Sequence, residues 1–296
     1  MTTSLKLTVA VVQQQYSQDT AVNLATSLQL IRQAAQHGAQ LVLLSELHRS
    51  LYFCQTETQA AFALAEPLKG PTCQRLGQLA QELQIVIVGS IFEKRAAGIY
   101  HNTALVLDVD GQLAGYYRKM HIPDDPGFYE KYYFTPGDLG FTPVDCSLGR
   151  LGVLICWDQW YPEAARLMAL AGAELLLYPT AIGWEPDEQS AEKQRQLEAW
   201  ITIQRSHAIA NHLPVLSCNR TGFEASPEAG QGIVFWGNSF IAGAQGEILA
   251  QAPADQPQVL LATVDRARTE TLRQIWPYFR DRRIDAYPDL LRRYRD

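Results

Sequence analysis

No two cysteines in this chain are spaced as CxxC, and the five present, Cys54, Cys73, Cys146, Cys156 and Cys218, are odd in number and widely scattered. That argues against a disulfide framework and a zinc site, and it fits reduced thiols in a cytoplasmic setting. Histidine is scarce too. Of six, His207 and His212 lie five positions apart, which keeps them off a common helix face, so no metal is expected. No apolar run approaches the length of a membrane span, and the opening MTTSLKLTVAVVQQQ lacks the long apolar core of a secretory leader. Runs of one charge are absent as well. The net charge of −6 makes a polyanion such as nucleic acid a poor partner while leaving room for a small cationic substrate. With no Pro/Gly/Ser-rich linker and no repeat, residues 1–296 read as one domain, with 265–296 as a carboxyl-terminal tail.

What is present is material for a large core, since 47% of residues are hydrophobic and 19% charged. Residues 5–12 (LKLTVAVV) alternate as a strand. Asp19 or Thr20 then caps a helix with Leu24, Leu28, Ile31 and Ala35 on its apolar stripe, closed by Gly38. Residues 41–45 (LVLLS) and 85–88 (IVIV) are short buried strands, separated by a helix capped by Thr72. Residues 103–109 and 113–118 flank Asp110-Gly111, the dipeptide favoured in a type I′ hairpin turn, so the pattern changes there to antiparallel pairing. A second group of strands follows at 151–155, 175–178, 215–217, 233–235, 238–242, 247–250 and 259–264, with helices over 163–170 and 191–212. Two halves that each mix strands with about two helices predict an α/β fold, a four-layer αββα sandwich of two mixed sheets.

Three reactive side chains stand at predicted strand ends. Glu46 follows 41–45, Lys119 follows 113–118 and opens the long polar and aromatic stretch 116–138, and Cys156 follows 151–155 at a sharp strand-to-helix corner before Pro162. Each has an ordinary alternative: cysteine is usually a small core hydrophobe, and a lone Glu or Lys is usually solvated. Together they supply what thiol amide hydrolysis requires, namely a nucleophile, a base for its proton, and a cation that favours the thiolate and stabilises an oxyanion.

The segments LLSELHRSLYF, YYRKMHIPDDPGFYEKYYFTPGD and GVLICWDQWYPEAAR, in that order, resemble the three catalytic segments of the nitrilase or carbon-nitrogen hydrolase superfamily. The resemblance implies Glu46 as general base, Lys119 as oxyanion stabiliser, Cys156 as nucleophile and Glu130 as a partner of Lys119 often counted as a second catalytic Glu. It implies no cofactor. LYFCQTE, PTAIGWEP and WPYFRDRR are similar to the polyamine-pathway branch of that family, which acts on N-carbamoylputrescine. A small-molecule substrate would then meet Tyr52, Trp157, Trp184 and Glu185, the last facing a distal ammonium, with the backbone N–H of Trp157 aimed at the oxyanion. The link LHRSL departs from the family turn, so 48–51 receive no role.

Alternatives are another amidase of the same family, of the ω-amidase or β-ureidopropionase kind, or a scaffold protein without activity. An arginine in the pocket would mark a carboxylate-tailed substrate, whereas Trp184 and Glu185 suit an amine. The family resemblance also implies a homo-oligomer. The tail carries Tyr278, Phe279, Tyr287, Leu290, Leu291 and Tyr294, an apolar set that packs either on a second subunit or on its own.

Overall fold

The computed structural model describes residues 5–227 and 232–295; residues 1–4 of the amino-terminal stretch read above and Asp296 of the tail lie outside the described residues. The first half contains β1 (Lys6–Gln13), α1 (Thr20–Gln36), β2 (Leu41–Leu44), α2 (Pro71–Leu83), β3 (Val86–Ala96), β4 (Ile99–Leu107) and β5 (Leu113–Arg118). The second contains β6 (Val144–Cys146), β7 (Gly149–Val153), α3 (Pro162–Leu170), β8 (Leu175–Pro179), β9 (Gly183–Trp184), α4 (Ser190–Asn211) and β10 (Val215–Cys218). It continues with β11 (Thr221–Ala225), β12 (Gly232–Trp236), β13 (Phe240–Ala242), β14 (Ile248–Gln251), β15 (Gln258–Asp265) and α5 (Arg266–Ile275).

Two six-stranded sheets form, in the orders β15-β1-β2-β3-β4-β5 and β14-β13-β10-β8-β7-β6, and β11-β12-β9 makes a small third sheet. Parallel pairing holds the centre of each, β1-β2-β3 in one and β10-β8-β7 in the other. Strand side chains alternate between faces, so Val9, Val11, Leu41, Leu43, Val86 and Val88 join Val153, Leu175, Leu177 and Leu216 in the layer between the sheets. The opposite face of the first sheet, with Ala10, Val12, Val42 and Leu44, packs on Ile31 and Ala34 of α1 and Leu76 and Ala80 of α2. Met168 of α3 and Trp200 of α4 are likewise fully buried on the second sheet. The result is the expected αββα sandwich. No helix among the described residues is long and apolar enough to cross a membrane.

Topology brings the reactive positions to one edge. The antiparallel steps β3-β4 and β4-β5 reverse the chain twice, so β5 ends at the same edge as β2. Across the sandwich, the Glu46 N–H donates to the Thr180 carbonyl just past β8, at 3.3 Å. The carboxyl ends of β2, β5, β7 and β8 therefore converge.

Several local expectations are corrected. The β4-β5 link is not a two-residue type I′ turn: that turn needs positive φ at both central residues, and of Asp110 and Gly111 only Gly111 has it, at +79°. The Gly111 N–H instead bonds the Asp108 carbonyl, and the register shifts at Leu107. Gly70, not Thr72, is the N-cap of α2. The Glu66 carboxylate takes the Thr72 N–H at 2.9 Å and does the capping from outside the helix. In α1 Ile31 is buried as expected, but Leu24, Leu28 and Ala35 are only partly so. Full burial falls on Asn23, Ser27 and Ala34, because Asn23 bonds the Ser17 and Arg49 carbonyls and Ser27 the Gln14 side chain. Between β8 and α4, Gly183 and Trp184 of β9 pair with Phe235 and Val234 of β12.

Candidate active site

Cys156 leaves the end of β7 and begins a short 3-10 turn, Cys156–Trp160, with φ of +43°. A side chain bearing Cβ rarely adopts that region, and such outliers concentrate at functional sites. The thiol is buried and points toward the Ala181 carbonyl, 3.7 Å away. Burial pushes its pKa well above the ordinary thiol range. Glu46 and Glu130 add to that push, and Lys119 opposes it without prevailing. Lys119 thus acts in the expected direction, toward the thiolate, against the larger effect of burial.

Lys119 lies between two carboxylates. Its Nζ donates to Glu46 Oε1 and to Glu130 Oε2, each at 2.7 Å, and all three side chains are buried. Burial disfavours the ammonium, but Glu130 and Glu46 outweigh it, so the lysine pKa is raised well above normal and the charge is kept. Glu130 is pushed up in turn, first by burial and then by Glu46, against the opposing pull of Lys119. Asn102 Nδ2 donates to Glu46 Oε1 at 2.6 Å, while Glu46 Oε2 is buried and accepts no hydrogen bond from the described residues. That oxygen is an unused acceptor in a site containing a protonated thiol. Main-chain bonds fix Lys119 itself: its N–H donates to the Asn102 carbonyl, and its carbonyl accepts from the Gly137 N–H. Only glycine fits at 137, because a Cβ there would lie 2.1 Å from the Arg118 carbonyl oxygen.

A cavity of about 440 Å³ opens onto Cys156 and Glu130. Trp157, Trp160, Trp184 and Trp236 line it, and Asp125, Glu185 and Glu188 bring carboxylates to it. No Arg, Lys or His stands among the described residues of its lining. Glu185 is exposed, whereas Glu188 is half-buried. Trp184 packs edge-on against Trp236 at 5.0 Å, and its ring already has Lys193 Nζ at 5.9 Å. The structure thus brings Cys156, Glu130, Trp157, Trp184 and Glu185 to one space, with Glu46 and Lys119 in the bonded cluster behind Glu130. Tyr52 is placed differently from the expectation. It is not among the lining residues, and its hydroxyl donates to Glu130 Oε1 at 2.7 Å while its N–H donates to Glu224 Oε2.

Residue patterns did not single out the frame behind these groups. Arg220, fully buried, pairs with Glu224 at 2.9 Å and donates to the carbonyls of Glu46, Leu47 and Ser50, which fixes the turn after Glu46 where Leu47 has φ of +48°. Glu224 then holds Tyr52. The link LHRSL, left without a role, is the segment that Arg220 grips. His48 within it is buried and neutral, its pKa lowered to about 3 chiefly by burial. Asp125 and Glu188 were visible beside the motifs, but nothing distinguished them from solvated loop carboxylates.

Residues 8–274 match the sequence profile of the carbon-nitrogen hydrolase family. N-carbamoylputrescine amidase of Solanum lycopersicum is 44% identical over 96% of this chain and 95% of its own length. Citrullinase of Francisella tularensis is 42% identical over 97% of this chain and 98% of its own. The crystal structure of a carbon-nitrogen hydrolase from Helicobacter pylori G27 superposes with a TM-score of 0.95 at 50% identity, covering 98% of this chain and all of that one. With matching segments, fold and near-complete coverage, the chain belongs to the carbon-nitrogen hydrolase family.

Proposed function

We propose that this enzyme hydrolyses the ureido group of N-carbamoylputrescine to putrescine, ammonia and carbon dioxide, supplying a polyamine precursor. The observation that carries the reading is a buried thiol beside a Glu46–Lys119–Glu130 cluster, at a cavity edged by the carboxylates of Asp125, Glu185 and Glu188. Cys156 is the nucleophile. As its sulfur bonds the ureido carbon, the thiol proton passes to Glu46 Oε2, and the carbonyl electron pair moves onto oxygen. Lys119 and the Trp157 N–H stabilise that oxyanion, each donor of this kind contributing about 2.7–4 kcal/mol to lowering the barrier. When the carbonyl re-forms, the C–N bond breaks and the leaving nitrogen takes the proton from Glu46. Glu46 then deprotonates water, which cleaves the S-carbamoyl intermediate and frees Cys156, and the carbamate so released breaks its remaining C–N bond to give carbon dioxide and the second nitrogen product. Glu130 shares the Lys119 ammonium with Glu46 and so holds it in place.

Glu185 and its neighbours Glu188 and Asp125 suit a distal ammonium, with Trp184 covering the aliphatic chain. A second reading, a citrullinase, is favoured by the Francisella relative. Citrulline carries a carboxylate beside its ammonium, and the described residues of the cavity lining offer no cation to receive it. Comparing kcat/KM for ammonia release from N-carbamoylputrescine, citrulline and N-carbamoyl-β-alanine decides between them. N-carbamoylputrescine is expected to lead. Citrulline at an equal or higher value overturns the substrate assignment, and no ammonia from any of the three overturns the ureido chemistry. Five free cysteines support a reducing, cytoplasmic location. The tail supports a homo-oligomer: Trp276 and Tyr278 pack at His212 of the same chain, but Ile284, Leu290, Leu291 and Tyr294 remain exposed.

A further inference from the structure

Asp158, two residues after the thiol, is fully buried and accepts four hydrogen bonds. Oδ2 takes the Ile155 N–H at 2.9 Å and the Tyr117 hydroxyl at 2.8 Å. Oδ1 takes the His121 N–H at 3.0 Å and His121 Nδ1 at 2.7 Å. A carboxylate only accepts, so Nδ1 carries its proton whichever charge the ring has. Four bonds fill the capacity of the two oxygens, which offsets the cost of burying the charge.

The positions of these donors matter more than their number. Ile155 immediately precedes Cys156, just past the carboxyl end of β7 in the second sheet. Tyr117 and His121 lie two residues on either side of Lys119, at the end of β5 in the first sheet. One side chain therefore ties the corner that presents the thiol to the strand end that presents the ammonium. The tie is braced on its outer side, where the His121 ring stacks on Tyr161 at 3.7 Å with an 8° interplanar angle. Cys156 holds a left-handed φ of +43°, and a residue in that region persists only where its surroundings over-determine it.

We propose that Asp158 is a positioning residue for the reaction: it sets the distance between the Cys156 sulfur and the Lys119 ammonium by bonding both of their backbone segments across the two sheets. The inference rests on the reading of Cys156 as nucleophile. It assigns Asp158 no contact with substrate, so its loss acts on the rate of the bond-forming step rather than on binding.

Asp158→Asn tests this. An amide has one acceptor oxygen, and whichever way it turns, one backbone N–H, that of Ile155 or that of His121, is left facing a donor. Tyr117→Phe and His121→Leu each remove one bond, and His121→Asn offers an amide N–H where Nδ1 was. With N-carbamoylputrescine as substrate, at a temperature well below the unfolding midpoint, Asp158→Asn should lower kcat about ten- to a hundredfold. KM should stay within about twofold, as expected when ground-state binding is untouched. Cys156 alkylation by iodoacetamide should slow or quicken with it, since the thiol's surroundings change. His121→Leu should lose kcat severalfold and His121→Asn recover most of that loss. A folded Asp158→Asn protein with wild-type kcat, or one changed only in KM, overturns the proposal. If Asp158→Asn does not fold, Tyr117→Phe and His121→Leu decide: a fall in kcat at constant KM supports it, and wild-type kcat in both overturns it. Cys156→Ala separates the two levels. Activity in that variant removes the nucleophile reading itself, whereas an inactive Cys156→Ala beside a fully active Asp158→Asn removes only the role of Asp158.

Discussion

Replacing Tyr52 with Phe deletes one oxygen and leaves the ring against Phe128 and Phe235, at 5.4 and 6.0 Å. The deleted hydroxyl donates to Glu130 Oε1, in a site where burial already raises the Glu130 pKa and the Tyr52 bond lowers it. A hydrogen bond to a charged group is worth about 1.5–3 kcal/mol, and about 1.4 kcal/mol corresponds to one pKa unit. Loss of a bond that favours the carboxylate form therefore raises the pKa further, by about one to two units. Protonation of Glu130 removes one of the two carboxylates that hold the Lys119 ammonium, so activity falls on the acid side. The acid limb of the kcat/KM profile, which belongs to the Glu46–Lys119–Glu130 cluster as a whole, should move to higher pH by that amount. Rates above the limb should change little. The assay is ammonia release from N-carbamoylputrescine across the pH range. A limb that stays in place, or moves to lower pH, refutes the coupling of Tyr52 to the site through Glu130.

Glu185 is exposed, so solvent screens its interaction with a distal ammonium, and Glu185→Gln alone should lower kcat/KM for N-carbamoylputrescine only about two- to fivefold. With Glu188→Gln added the loss should reach about tenfold, and uncharged ureas should be spared; equal losses for both substrate types count against ammonium recognition. Gly137→Ala forces a Cβ into the Arg118 carbonyl, which should cost about 1–3 kcal/mol of stability and lower kcat by shifting Lys119, read by thermal unfolding and turnover. Sedimentation at micromolar concentration should give a species larger than the 33.1 kDa chain, and a monomer alone would contradict the oligomer.

The parts of the site legible in the sequence were those that local pattern delivers. Glu46 and Cys156 each follow a short apolar run and Lys119 follows a hairpin strand, and a strand that ends in a reactive side chain marks the sheet edge where α/β folds place chemistry. The pairing of Glu46 with Lys119 was legible only through the resemblance, since 73 positions separate them. Arg220 and Glu224 stayed hidden for a sharper reason. They act on Glu46 and Tyr52 from over 170 positions away, through main-chain carbonyls and one N–H, which leave no residue-type signature. Asp158 lies inside the quoted motif, yet spacing gave no hint that it collects donors from two sheets. The Asp110-Gly111 turn was misread because the dipeptide fits two loop geometries, and the register shift at Leu107 selects the longer one. Thr72 yielded its capping role because Glu66, brought in by the chain before α2, reaches the helix terminus first.

The central claim is that one thiol of five does the chemistry, and turnover of single cysteine variants tests it most directly. Cys156→Ala should release no ammonia from N-carbamoylputrescine above background. Cys54→Ala, Cys73→Ala, Cys146→Ala and Cys218→Ala should all remain active wherever they fold, because none of these thiols lines the cavity beside Glu130. Ammonia release by folded Cys156→Ala at a rate comparable with wild type would contradict the account.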